Sequence, residues 1–148
     1  MWFWVDQICI NQKDPLERMQ QVRLMRLIYQ RSGKTVVWLG EDDKNNGTAA
    51  FKLIRKAFDG RRIELSWHSG TDGRPLSGIL KDEQRQVLGV PSSDHQSWHS
   101  LLTLLECPWF RRVWVVQEIV ASTGTPLLLY GNHQCSWIHF AWATFWLY

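Results

Sequence analysis

The 148-residue sequence is short of cysteine, and what it has is unpaired by pattern: Cys9, Cys107 and Cys135 are odd in number, widely spaced and contain no C-x-x-C. That excludes a disulfide framework and points to free thiols in a reducing compartment. Long apolar runs are also missing. No stretch approaches the ~18 residues that span a bilayer, and the apolar opening "MWFWV" is interrupted at once by Asp6, so no secretory leader is readable. The expectation is a soluble, cytoplasmic chain. Charge of one sign is scarce as well, with a net charge of only +3. Internal repeats are absent, because the ten tryptophans are scattered rather than periodic.

Tryptophan is what the sequence has in excess. So many indoles require deep burial with partners for their N–H groups, or a contact surface. Basic residues gather in two places, Arg18, Arg23, Arg26, Arg31 and Lys34, then Lys52, Arg55, Lys56, Arg61 and Arg62. A phosphate-contacting patch would use such residues, but Glu17, Asp59 and Glu64 interleave with them. The solvated faces of two helices account for the pattern as well. No aromatic-basic alternation accompanies them, so no nucleic-acid partner is expected.

Several elements are legible. "WFWV" reads as a short buried strand and "DQICINQKDP" as the loop after it. "DPLERMQQVRLMRLIYQ" reads as a helix, with Asp14 as N-cap, Pro15 at the first position and Glu17 completing a capping box. Its apolar residues cover more than half the circumference, which calls for neighbours on more than one side. Ser32-Gly33 supplies the stop. "KTVVWLG" is a second buried strand, and strand–helix–strand implies a βαβ unit in a parallel sheet. Residues 41–96 form a variable region with a helix at "TAAFKLIRKAF" and an irregular, Gly-rich insertion from "DGRRIELSW" onward. Helices follow at "SWHSLLTLLE", broken by Cys107-Pro108, and at "FRRVWVVQEIVAS". "PLLLYG" is a third strand, and Ser136 caps a last helix at "SWIHFAWATFWLY". The class is α/β.

On a helical wheel for "RRVWVVQEIV", Val113, Val115, Val116, Ile119 and Val120 share one arc, the expected core face. Arg111, Trp114, Gln117 and Glu118 fall opposite. Trp114 and Glu118 are four apart and so adjacent, with Arg111 one turn before. An indole beside a carboxylate suits an active site that stabilises developing positive charge. An ordinary exposed Glu with an arginine partner explains the same pattern. His95 and His99, with Asp94, are metal-capable in principle, but no second pair at ligand spacing follows and no metal is expected. His133 and Cys135 lie in a turn without an identifiable orienting group for nucleophilic chemistry. The aromatic last helix, with Trp137, Phe140, Trp142, Phe145 and Trp146, suits a packed helix, or a membrane-surface or partner-binding one.

"WVDQICINQKDPLERMQQVRLMRLIYQRSGKTVVWLGE", "CPWFRRVWVVQEIVAS" and "LLLYGNHQCSW" resemble, in order, the blocks of the fungal heterokaryon incompatibility (HET) domain. The resemblance covers most of the chain, with the variable insertion between the first two blocks. HET domains look like relatives of TIR domains, which implies a parallel flavodoxin-like or TIR-like sheet. It also implies a role as an effector of fungal non-self recognition and programmed cell death. Several TIR domains cleave nicotinamide from NAD with a glutamate, and by position Glu118 matches it. NAD is then a substrate, and no cofactor is implied. Trp114 and Arg111 would line the site. Asp6, Asn11 and Gln12, in the loop at the strand end, would bind ribose or amide groups; equally, those three would satisfy their own loop. Self-association, or pairing with other incompatibility proteins, is the non-catalytic alternative. HET domains ordinarily begin with a further strand and helix. Their absence leads to the expectation that residues 1–148 are a partial, N-terminally truncated domain or an inactive gene fragment.

Overall fold

The computed structural model describes residues 3–67, 86, 89–92 and 94–147. The chain divides into two compact units, Met1–Thr35 with Val113–Gly124, and Val36–Arg112 with Thr125–Tyr148.

In the first unit the opening apolar residues are not a buried strand. Phe3 is 73% exposed, and the carbonyl of Val5 accepts the N–H groups of Ile8 and Cys9, which winds Asp6–Cys9 into a single helical turn, α1. Strand backbone needs a neighbouring strand to pair with; here the backbone bonds locally instead. Trp2, the first residue of the "WFWV" reading, lies outside the described residues.

Helix α2 (Pro15–Arg31) starts where local chemistry dictates. The Asp14 carboxylate accepts the N–H groups of Leu16 (2.9 Å) and Glu17 (3.2 Å), and Pro15 occupies the first turn. The capping box is not closed in the expected way. Asp14 donates its own N–H to the Asn11 carbonyl, while Glu17 Oε1 accepts the N–H of Asn11 at 3.0 Å. The acid therefore reaches one turn further back and pins the preceding loop. At the other end Ser32 donates both its N–H and its hydroxyl to the carbonyl of Tyr29, so a hydroxyl rather than a glycine ends the helix. Only Met25 of α2 is fully buried. The many neighbours that its apolar surface calls for are not found among the described residues. The short helix α5 (Val115–Val120) packs against α2. Below it, Thr35 and Ser122 hydroxyls meet at 2.6 Å, and Thr123 donates to the carbonyl of Ser32.

The second unit is built on a three-stranded sheet in the order β1–β2–β3, comprising Val36–Trp38, Leu127–Tyr130 and His133–Ser136. β1 and β2 are parallel, with Val37 opposite Leu128; β2 and β3 are antiparallel, with Tyr130 opposite His133. The sheet is thus mixed, not wholly parallel. The cause is local: Gly131 adopts φ +52°, a conformation glycine tolerates, and the chain folds straight back as a hairpin. His133 and Cys135, placed in a turn by sequence, lie in β3. β1 is buried on one face only, with Val37 inside and Val36 and Trp38 about half exposed.

α3 (Gly47–Trp67) runs well past the segment 48–58 and takes up the start of the region read as an irregular insertion; residues 68–85 of that region lie outside the described residues. Ala50, Leu53, Ile54 and Ala57 form its buried stripe at helical spacing, against α4 (Gln96–Leu105) and α6 (Trp137–Leu147). Cys107-Pro108 breaks the chain into a tight turn of 3-10 helix, Pro108–Arg111. The single helix expected over 110–122 is therefore replaced by that turn and the short α5. Trp109, Phe110, Trp137 and Phe140 stack edge and face with centroids 5.0–6.0 Å apart. Ser136 receives the N–H of His139 as the cap expected for α6. No helix among the described residues is long and apolar enough to cross a membrane.

Candidate functional site

Helix α5 does not bury the face its wheel selects. Val113, Val116 and Val120 are 83%, 66% and 78% exposed, whereas Glu118 is 6% exposed. A six-residue helix has little conformational preference of its own, and packing decides which side is covered. Trp114 stands at its N-cap and receives the Glu118 N–H at 3.0 Å. Ser122 donates to the Glu118 carbonyl. Of the expected core face, Val113, Val116 and Val120 lie outside and Val115 and Ile119 are half-buried. Of the expected open face, Arg111, Trp114 and Gln117 are exposed and Glu118 alone lies inside, where it is further engaged.

Trp114 and Glu118, joined by their spacing, thus serve different surroundings. Trp114 borders a groove of about 510 Å³ whose other walls come from α2: Pro15, Arg18, Met19, Val22 and Arg23. Glu118 is not among its lining residues. Sequence reasoning missed Arg18, Arg23 and Met19 as partners of the indole; the arginines were visible only as part of a basic cluster.

The loop residues Asp6, Asn11 and Gln12 come together, and their hydrogen bonds serve the loop. Asp6 Oδ1 accepts the Gln7 N–H (2.8 Å), and Asn11 Oδ1 accepts the Lys13 N–H (3.1 Å). Gln12 Nε2 donates to the carbonyls of Asp6 (2.9 Å) and Ile10 (3.3 Å). This is the self-satisfying arrangement that the sequence also allowed. Arg111 lies in the second unit, exposed at the end of the 3-10 turn.

Compared with known families, residues 1–118 match the profile of the Heterokaryon incompatibility protein (HET) family. The chain belongs to the heterokaryon incompatibility family. It is also 33% identical over 134 residues to Heterokaryon incompatibility protein 6, OR allele, of Neurospora crassa, an alignment that takes in 82% of this chain and 19% of that protein. The chain therefore spans about a fifth of that relative's length. No solved structure matches.

A second cluster in this HET chain gathers at the carboxyl ends of β1 and β2. Asp42 accepts the N–H groups of Asn46 (2.7 Å) and Gly47 (2.8 Å) at the start of α3. His133 Nε2 lies 3.8 Å from Asp42 Oδ2 and 3.3 Å from Thr48 Oγ1. Hydroxyl and carboxylate meet the same ring nitrogen, whereas a hydroxyl–imidazole–carboxylate relay uses both. The arrangement is a helix cap. Burial, followed by the nearby Asp42 charge, pushes the Tyr130 phenol up. Burial alone pushes the Cys135 thiol up to about 12, which keeps it protonated and a poor nucleophile. His95 acts as N-cap of α4, its Nδ1 accepting the Ser97 N–H. Among the described residues no three His, Cys, Asp or Glu side chains are grouped to hold a metal.

Proposed function

We propose that this HET chain is an effector of fungal non-self recognition and programmed cell death, and that the intact TIR-like domain acts by hydrolysing the nicotinamide N-glycosidic bond of NAD. Glu118 is the catalytic carboxylate. It stabilises the oxocarbenium-like charge that develops on the ribose as nicotinamide leaves. The observation that carries this reading is the burial of Glu118 in a helix that turns Val116 and Val120 outward. Apolar burial alone selects the reverse, and a carboxylate withdrawn from water interacts more strongly with a developing cation. Trp114, one turn earlier, offers a ring face for the base, and Asp6, Asn11 and Gln12, in the same compact unit, are the further substrate contacts. The test is NAD consumption by the full gene product, native and as Glu118→Gln. Turnover lost in the variant, with its fold retained, is expected; equal turnover overturns the reading.

A second reading rests on the same helix. The exposed Val113, Val116 and Val120 suit a non-catalytic module that signals death by self-association or by pairing with other incompatibility proteins. Sedimentation of the native protein and of Val116→Asp separates the two: a valine-dependent oligomer that still kills without consuming NAD supports the module.

A further inference from the structure

We propose that the groove between α2 and Trp114 is the docking site for an acidic amphipathic segment of a partner protein. Its apolar side chains would seat against Met19, Val22 and the indole, and its carboxylates would pair with Arg18 and Arg23. The inference does not depend on NAD cleavage, since Glu118 does not line the groove.

Charge complementarity selects this occupant. α2 carries Arg18, Arg23, Arg26 and Arg31, all exposed, and its single acid is Glu17, whose Oε1 is already taken by the Asn11 N–H. None of the four guanidinium groups is ion-paired among the described residues. Guanidinium groups are the side chains best suited to paired recognition of carboxylates. The surface is also too long and too apolar for a small anion. At 1.5 Å per residue the 17 residues of α2 extend about 25 Å. On the wheel Arg26 falls between Met19 and Val22, and Leu16 and Leu27, 68% and 41% exposed, lie next to Arg23. Basic and apolar side chains thus run together along one side of the helix, the complement of a helix presenting Glu beside Leu. A nucleotide would leave most of that stripe uncovered. The groove also offers no amide or hydroxyl side chain to read the edge of a base.

The experiment uses the full chain and a fluorescent peptide of about four helical turns with Glu and Leu on adjacent edges, followed by anisotropy. Two control peptides replace every Glu by Gln or every Leu by Ser. The acidic apolar peptide is expected to bind, and each control to bind at least about tenfold more weakly. Raised salt should weaken the interaction. The double variant Arg18→Glu, Arg23→Glu should lose about tenfold or more, and Trp114→Ala several-fold with recovery in Trp114→Phe. Arg31→Glu, on another side of α2, should stay within about twofold. The exchanged arginines are exposed, so an unchanged circular dichroism melt verifies folding. Glu118→Gln should keep full peptide affinity even where turnover is lost, which separates failure of this proposal from failure of the catalytic one. Equal binding of the Gln peptide, or no loss on arginine reversal, overturns the proposal. So does tighter, Arg18- and Arg23-dependent binding of ADP or of phosphatidylserine vesicles, or a self-associated chain that buries the groove.

Discussion

The Asp42 carboxylate accepts the Gly47 N–H at 2.8 Å, joining the loop after β1 to the first turn of α3. Its other oxygen takes the N–H of Asn46, and Asn45 is held at φ 53° between them, a conformation that asparagine tolerates better than most residues. A carboxylate at a helix N-terminus satisfies donors that the helix leaves open and complements its dipole. Asp42→Ala should therefore cost about 1–2 kcal/mol of unfolding free energy, with Asp42→Asn recovering part of it. Urea denaturation of both variants checks this.

Gly47 itself is closed in by His133. A Cβ at position 47 would collide with the imidazole Cδ2 and crowd the Asp42 carboxylate. Gly47→Ala should destabilise by about 1–3 kcal/mol, although alanine is the better helix former. Combining it with His133→Ala should return at least about 0.5 kcal/mol as coupling. Strict additivity in the double-mutant cycle would show that the contact is relieved by some other movement.

What the sequence discloses about this fold is what short-range chemistry decides. Asp14-Pro15 starts α2 because a carboxylate and a proline act within one turn, and Ser136 caps α6 for the same reason. The β-branched core of β1 and the leucines of β2 announce strands directly. Glu17 already departs from expectation, because its longer side chain finds Asn11 before the Asp14 N–H. β3 was hidden, since His133-Gln134-Cys135-Ser136 has no β-branched residue and owes its strand to the Gly131 turn and to pairing with β2. The burial of Glu118 in α5 is the feature least legible in the sequence. The wheel is unambiguous, but so short a helix is covered where its surroundings dictate, and Val115 and Ile119 are half-buried while Val116 and Val120 are exposed. Trp114 and Glu118 were therefore found as residues but not as an arrangement, and the arginines opposite the indole become partners only once α2 is packed.

The aromatic cluster should dominate the stability of the second unit. Trp109 and Phe140 are 6% and 3% exposed, and Phe140 stacks on Phe110 at 5.3 Å. Phe140→Ala removes a large apolar surface and leaves a cavity, at a cost of about 3–5 kcal/mol. Phe140→Leu should retain more than half of that. Chemical denaturation followed by near-ultraviolet circular dichroism reports both.

Alkaline pH should unfold the protein in a defined direction. Burial holds the Cys135 thiol up at about 12. It also raises Cys107 and Tyr130, the latter with help from Asp42. In the unfolded chain these groups lose their protons at lower pH than in the folded one, so the folded state binds more protons across the interval between. Stability is then fully present below the ordinary thiol range, about 8.5, and falls as pH climbs from there toward about 12. Cys135→Ala should flatten that decline, measured as the urea midpoint against pH. Thiol alkylation near neutral pH should proceed at the exposed Cys9 and spare the buried Cys107.

The burial of Glu118 and the exposure of Val116 and Val120 make a prediction that the wheel of α5 contradicts. If valines formed the core face, Val116→Gln and Val120→Gln would each leave a buried amide and cost several kcal/mol. With Val116 and Val120 at 66% and 78% exposure, each should change stability by less than about 0.5 kcal/mol. Glu118→Ala should instead cost about 1–3 kcal/mol, because it deletes a buried acid together with the interaction it makes. Glu118→Gln, similar in shape and able to hydrogen-bond, should cost less. A ranking with the valine substitutions above Glu118→Ala would restore the amphipathic wheel. It would also remove the burial on which the catalytic assignment of Glu118 rests.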